Sequence, residues 1–438
     1  MISNKNVCIV TIIFWVLVSL FYIARTPFDH RTHDFWGHLQ YTEYIVRHNK
    51  FPSPYELSHS YYPPLYYSIA ALINPDVLKF DDVDKLAHIN PVRYMSVLYG
   101  AITLWIIGIA LQEFNLSPFL QLILLLFIST TPKYVFVFAT YNNDSLLTML
   151  SVAALVLSYK LYKGWSWKFA IWLLVVATAS LYTKYTSIFY LFPVAILCFK
   201  NFLLNDISTH RRKKILSILI MSIVLFTPWM YYHNYLSTKK LFPANQDGAK
   251  YNLNPSLAEI SKTLSTVLKI PIVQYTPLEW SEPWSYPTLD QPPDIASPAT
   301  KSYDYLSFVF VTSVIGEFKF TEPGEIFIWV ILAIHLLMYL LSIVQVFKSE
   351  ITKLSGVFIV LSHLMHLINI ARGNLPVWGA LMDFRYISFT WLAWAILHAS
   401  VLANEKNWQF KISRILILGI IVQVYILMTV EGAIGFAF

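Results

Sequence analysis

Long apolar runs broken by short polar interruptions dominate the chain. A helix crossing the hydrocarbon core of a bilayer needs about 20 apolar residues. Eleven runs meet or approach that length: 7–24, 92–112, 118–137, 144–162, 168–182, 186–203, 214–234, 325–347, 353–371, 386–403 and 412–432. The fifth and sixth are separated only by LYTKYTS (181–187). The first run, Val7 to Tyr22, follows a lysine and has no small-residue cleavage site after it, so it reads as a retained signal anchor. The pattern predicts an all-α polytopic membrane protein with about eleven transmembrane helices, forming a single membrane domain over 1–438. No internal repeat or low-complexity tract interrupts it.

Two long polar segments stand out. Segment 25–91 holds six of the twelve histidines and eight carboxylates, and segment 235–324 is rich in Pro, Trp and Tyr. Inside the first, YYPPLYYSIAAL (61–72) predicts a chain break at Pro63-Pro64 and then an apolar helix too short to span. Inside the second, LAEISKTLSTVL (257–268) suggests an amphipathic helix along the membrane surface. Both segments are therefore expected as loops carrying juxtamembrane helices.

Lysine and arginine in short loops set the orientation. They concentrate in 160–168, 200–215, 347–353 and 404–414, which all fall on one side if the N-terminus is cytoplasmic. The opposite, external side then receives 25–91, YNND (141–144), the 183–186 turn, the long loop 235–324 and the turn 371–385. Composition agrees: 56% of residues are hydrophobic and 13% charged, against about a quarter charged in soluble domains. The net charge of +7 is dispersed over short loops and forms no basic stripe, so nucleic acid is not an expected partner. Cys8 and Cys198 both lie in apolar runs and read as small core residues, with neither a disulfide nor a metal framework.

Candidate chemistry gathers on the external side. Asp34 and His38 are four apart, on one face if 34–49 is helical. The bland reading makes Asp34 an N-cap and His38 an interfacial residue. Tyr61, Tyr62, Tyr66 and Tyr67 flank the Pro-Pro break and are expected at headgroup level, where an aromatic belt explains them equally well. Asn142 and Asn143 precede Asp144, which is expected to cap the fourth span. Lys184, Arg372 and Arg385 stand at external helix ends, either as snorkelling residues or as phosphate ligands. Two carboxylates at one membrane boundary suit work on a lipid-borne substrate.

In this order, DFWGH (34–38), PPLYY (63–67), NND (142–144) and TKYTS (183–187) resemble motifs of the GT-C superfamily of polyprenyl-phosphate-sugar glycosyltransferases. The likeness is nearest to the branch of protein O-mannosyltransferases and lipid A aminoarabinose transferases. TPWMYYHNYLSTKKLFP (227–243) and DFRYISFTWLAW (383–394) are similar to that branch's Pro-Trp and Asn segment before the large loop and its Arg-Tyr late helix. The resemblance covers most of 1–240 and returns around 310–400. Phe35 follows Asp34 where many relatives have a second acid, which argues against a metal site of two adjacent carboxylates there.

The resemblance implies a GT-C-like fold and transfer of a sugar, with inversion, from a polyprenyl-phosphate donor to a glycan, lipid or protein acceptor. Asp34 would be the base, with His38 and Asp144 as further catalytic residues. Lys184, Arg385 and Arg372 would bind the donor phosphate, and Tyr61, Tyr66, Tyr67 and Asn143 the substrate. A divalent cation, magnesium or manganese, is compatible with this scheme but not required by the sequence, and no metal ligand is assigned. The expected location is a bacterial inner membrane with the site facing the periplasm, and loop 235–324 is expected to determine the acceptor. The main alternative is a transporter or flippase of lipid-linked glycans, which would need ionisable groups near the bilayer midplane. Spans eight, nine and eleven carry no Asp, Glu, Lys or Arg at mid-depth, and the charges crowd one surface.

Overall fold

A computed structural model describes residues 4–26, 35–57, 59–76, 90–188, 190–192, 194, 209–241, 305–315, 325–373, 384–404 and 408–429. Among these residues the structure is all-helical, with no strand. In chain order the helices are α1 (Asn4–Arg25), α2 (Phe35–His48), α3 (Leu65–Ile73), α4 (Asn90–Leu111), α5 (Pro118–Ser129), α6 (Pro132–Ala139) and α7 (Asp144–Lys163). They continue with α8 (Trp167–Thr183), α9 (Thr209–Pro228), α10 (Tyr305–Val314), α11 (Glu325–Gln345), α12 (Glu350–Gly373), α13 (Trp391–Asn404) and α14 (Gln409–Thr429). Among the described residues, eight helices are long and apolar enough to cross a membrane, or nine if the α5–α6 pair is one span. The expected count of about eleven is thus met only in part, and much of the sixth run, 186–203, lies outside the described residues. The helix expected at 257–268 also lies outside them, as does Cys198, while Cys8 is buried and unbonded.

The run 118–137, expected as one span, is two helices bent by 65°. Pro132 is the cause, because it has no N–H and its ring clashes with the carbonyl four residues back. Ser117 caps α5 by accepting from Leu120 N–H, and Pro118 takes its first position. At the bend, the Thr130 and Thr131 hydroxyls donate back to Leu126 O and Phe127 O. Gln423 of α14 closes over both threonines, so the interrupted backbone is satisfied within the protein, as a bilayer interior requires.

α1 packs on α4, α5 and α6; α4 packs on α7, α7 on α8, and α8 on α9. In the second half α11 and α12 both pack on α13, and α14 closes against α11 and α5. α13 is enclosed almost entirely, whereas α9 turns Ile220, Met221, Ile223, Val224 and Leu225 outward, as a lipid-facing helix would. Gly100 lets α4 lie close to its neighbours: a Cβ there would stand 2.6 Å from Trp15 and 2.9 Å from Phe138. Small residues serve membrane helix contacts in this way.

The C-terminal ends of α1, α6 and α8 and the N-terminal ends of α4 and α7 meet at one end of the bundle. Buried Arg93 of α4 ties three of these ends together. Its Nε donates to Ala139 O and its Nη1 to Ile23 O and Thr26 O, satisfying carbonyls left open where α1 and α6 stop. α2 and α3 pack against each other over this end, with α3 touching α4 and α8.

Candidate active site

The site grows from the α6–α7 turn. Thr140 leaves α6 in extended conformation, so the chain reverses sharply through Tyr141, Asn142 and Asn143. Asn143 takes the N-cap position of α7 without a side-chain bond, and Asn142 before it serves the open turn: its Oδ1 accepts from Ser145 N–H at 3.0 Å while its amide donates to Val137 O. This corrects the expectation that Asp144 caps the helix. A side-chain oxygen two residues earlier reaches the open N–H first, which leaves the Asp144 carboxylate free for a tertiary partner.

That partner is Lys184. α8 ends as Lys184 turns to extended geometry, and its Nζ donates to Asp144 Oδ1 at 2.6 Å. Both side chains are buried, with 4% and 6% of their surface exposed. Lys184 Nζ also lies 5.4 Å from the centre of the Tyr62 ring, in cation–π range. The carboxylate sits in the first turn of α7, where the helix dipole favours a negative charge.

α2 and α3 build an aromatic wall beside the pair. Residues 35, 38, 39 and 42 of α2 are buried at helical spacing, facing α3. Gly37 makes the close approach possible: a Cβ there would sit 1.7 Å from His59 Nδ1. Tyr41 stacks on Tyr67 at 4.0 Å, and Tyr66 and Tyr67 are fully buried. The α3 tyrosines thus face protein, packed under α2. Burial raises the phenols of Tyr41, Tyr66, Tyr67 and Tyr141 above the usual range, so all four remain hydrogen-bond donors at neutral pH.

A hydrogen-bond chain crosses this wall. Asn143 Nδ2 donates to Tyr67 Oη at 3.4 Å, and Tyr67 Oη lies 2.8 Å from His38 Nδ1. The direction of the Tyr67–His38 bond follows the imidazole tautomer, since the phenol oxygen can donate or accept there. Asn143 is fully buried, and its Oδ1 has no hydrogen-bond partner among the described residues. Tyr141 fills the gap between α2 and α3, bonding Thr42 at 2.5 Å.

Two further supports come from distant sequence. The stretch after Pro228 is a π-helical turn, Trp229–Tyr235, a local unwinding often found at functional sites. It aims buried Asn234 at Tyr185, with Nδ2 donating to the phenol at 2.6 Å, next to Lys184. In the same turn His233 stacks on Trp229 and bonds Pro52 O, pinning the first loop. On the other side, Thr148 of α7 bonds Ser388 at 2.6 Å, which brings the helical segment Phe384–Thr390 beside the turn after Asp144.

Of the residues singled out from sequence, His38, Tyr66, Tyr67, Asn143, Asp144 and Lys184 come together here. Tyr61 is half-buried and packs on Tyr62 at 4.3 Å. Asp34 lies outside the described residues, one position before α2. Arg372 and Arg385 fall in helical backbone, at the end of α12 and in the 384–390 segment, but their side chains lie outside the described set. Thr42 escaped the sequence reading, and His59, Tyr62, Tyr185 and Asn234 lay in stretches it marked without receiving a site role. Among the described residues no three His, Cys, Asp or Glu side chains converge to hold a metal ion. Beside Asp144, the Lys184 ammonium holds the place a divalent cation would take, so these residues do not fit one.

Residues 85–232 match the family described as dolichyl-phosphate-mannose-protein mannosyltransferase. That stretch contains Asn143, Asp144, Lys184 and most of the π-helical turn, and its match agrees there with the likeness to protein O-mannosyltransferases read from NND and TKYTS. No curated protein sequence matches the chain. Among solved structures, the S. cerevisiae protein O-mannosyltransferase Pmt1-Pmt2 complex bound to its sugar donor is similar at 16% identity and a TM-score of 0.40, over 60% of this chain and 37% of that one. An oligosaccharyltransferase from Archaeoglobus fulgidus, tethered to an acceptor peptide, is similar at 12% identity and a TM-score of 0.48, over 97% and 55%. ArnT from Cupriavidus metallidurans, bound to undecaprenyl phosphate, is similar at 11% identity and a TM-score of 0.39, over 90% and 78%. The chain thus spans little more than a third of the yeast protein's length and just over half of the archaeal one's.

Proposed function

We propose that this chain is a membrane glycosyltransferase that moves a sugar from a polyprenyl-phosphate donor to an acceptor hydroxyl or amine at the external face, with inversion. The observation that carries the reading is the buried Asp144–Lys184 pair. It lies within the matched stretch, at the bundle end where the first loop and the α6–α7 turn meet. A charged pair this well buried is costly to build from water and gives weak evidence for stability alone. A site that must bind a phosphate and a polar acceptor at the edge of a bilayer gives it a use.

In this scheme the donor's hydrocarbon tail stays in the bilayer, which holds the sugar–phosphate bond at the depth of the pair. The Asp34 carboxylate takes the acceptor proton as the acceptor's lone pair attacks the anomeric carbon. The bond from that carbon to the phosphate oxygen breaks, and the phosphate leaves with the bonding electrons. Lys184 and the arginines at 372 and 385 stabilise the charge that develops on it. Asp144 orients the acceptor, and His38 orients Asp34 or donates to the phosphate. The scheme routes no step through a metal. The bacterial inner membrane, with the site toward the periplasm, is the setting this reading favours, and 235–324 is the segment that would select the acceptor.

The test is transfer of radiolabelled sugar from a panel of polyprenyl-phosphate donors, in membranes carrying the full chain. Wild type should transfer from at least one donor, and Asp34→Asn should fall by about 10²–10⁴-fold at equal protein level. Undiminished transfer by Asp34→Asn would remove the base assignment. Wild-type inactivity with every donor would remove the reading.

A further inference from the structure

The end of α7 opposite Asp144 borders a separate cavity of about 470 Å³, within the range of ligand sites. It lies between the last turns of α4 and α7, the start of α9 and the start of α12, and reaches inward to α13. Its inner lining is hydrocarbon: Leu155, Ile215, Leu392 and Ile396. Its mouth is basic, with Lys160, Lys163 and Arg212 against a single lining carboxylate, Glu113. Lys163 already pairs with that carboxylate at 2.5 Å. Arg212 is buried in the lining, with 7% of its surface exposed. The Ser158 hydroxyl is buried in the lining and has no hydrogen-bond partner among the described residues. Further cations, Arg211, Lys213 and Lys214, flank the mouth at the start of α9.

We propose that this cavity binds an anionic membrane lipid, with one acyl chain against the apolar lining and the phosphate headgroup at Lys160 and Arg212. Three observations converge on that chemistry. An apolar interior alone would suit any hydrocarbon, but a cationic mouth selects a negatively charged head. The loop charges assign this end to the cytoplasm, where anionic lipids draw basic residues near the membrane surface. The Ser158 hydroxyl offers a hydrogen-bond donor inside the lining. The site lies at the other end of α7 from the Asp144–Lys184 pair, so it is distinct from the proposed donor site and does not depend on the glycosyltransferase reading.

The experiment uses the full-length protein in nanodiscs containing phosphatidylglycerol that bears a diazirine and an alkyne on its acyl chain. After irradiation, labelled peptides are mapped by mass spectrometry. Labelling should concentrate in 151–163 and 209–219, and an equally labelled phosphatidylcholine should give much less. Lys160→Gln and Arg212→Gln should each lower this labelling roughly fivefold, as loss of one headgroup cation implies. Ser158→Trp, which fills the cavity without changing charge, should abolish it while labelling elsewhere on the protein persists. That persistence reports an intact fold. Labelling of phosphatidylcholine equal to phosphatidylglycerol, or undiminished labelling in folded Ser158→Trp, would overturn the proposal.

Discussion

Helix α7 carries a lysine–carboxylate pair at each end, and the two ends behave as different materials. At its start, Asp144 meets Lys184 at 2.6 Å with 6% and 4% of the side-chain surfaces exposed. At its finish, Lys163 meets Glu113 at 2.5 Å with 50% and 44% exposed. The distances are alike and the energetics are not. Water screens the second pair, which is worth about 0–1 kcal/mol. The first has given up its hydration, so each partner depends on the other, and removing one leaves an uncompensated charge costing about 3–5 kcal/mol. Geometry alone would have ranked the two pairs equal. Burial separates them, and only the buried end is surrounded by the hydrogen-bonded wall of His38, Tyr67 and Asn143.

The comparison can be broken most severely at Lys184. Lys184→Met should lower stability by about 3–5 kcal/mol, read as thermal unfolding of the detergent-solubilised protein. Next in size is Gly37→Ala. A methyl placed 1.7 Å from His59 Nδ1 must push the ring or α2 aside, for a loss of about 1–3 kcal/mol by the same measurement. Asn142→Ala removes the side-chain bond to Ser145 N–H at the start of α7 and should cost about 1 kcal/mol, with Asp144→Asn not acting through capping at all. Lys163→Met sharpens the contrast from the other end, with a change of about 0–1 kcal/mol that shrinks further in high salt. If Lys163→Met were as damaging as Lys184→Met, burial would not be the distinction between them.

Much of the architecture could be read before any coordinates, because a bilayer forces each span to declare itself as an apolar run. The edges of α1, α4, α7 and α11 fall within a few residues of the runs that predicted them. The bend at Thr130–Pro132 was missed, since hydropathy continues straight through it and Gln423, almost 300 positions away, completes it. Within the site, NND and TKYTS were recognisable as polar helix ends, but nothing local says that Lys184 reaches Asp144 across 40 residues. Nor could composition distinguish a tyrosine belt at the membrane surface from the packed wall that Tyr66 and Tyr67 form. Capping was expected of Asp144 because either side chain can cap a helix, and only the folded turn shows Ser145 N–H bonded to Asn142.

The measurement that tests the central claim most directly is sugar transfer by four chains: wild type, Asp144→Asn, Lys184→Met and the double variant, each normalised to folded protein. Each single variant should lose both abundance and transfer. The double variant strands no charge, so it should regain much of the folded abundance yet still transfer at least about tenfold less than wild type, a deficit of about 1.4 kcal/mol in transition-state stabilisation. A double variant that folds and transfers like wild type would contradict the account and make the buried pair a purely structural device.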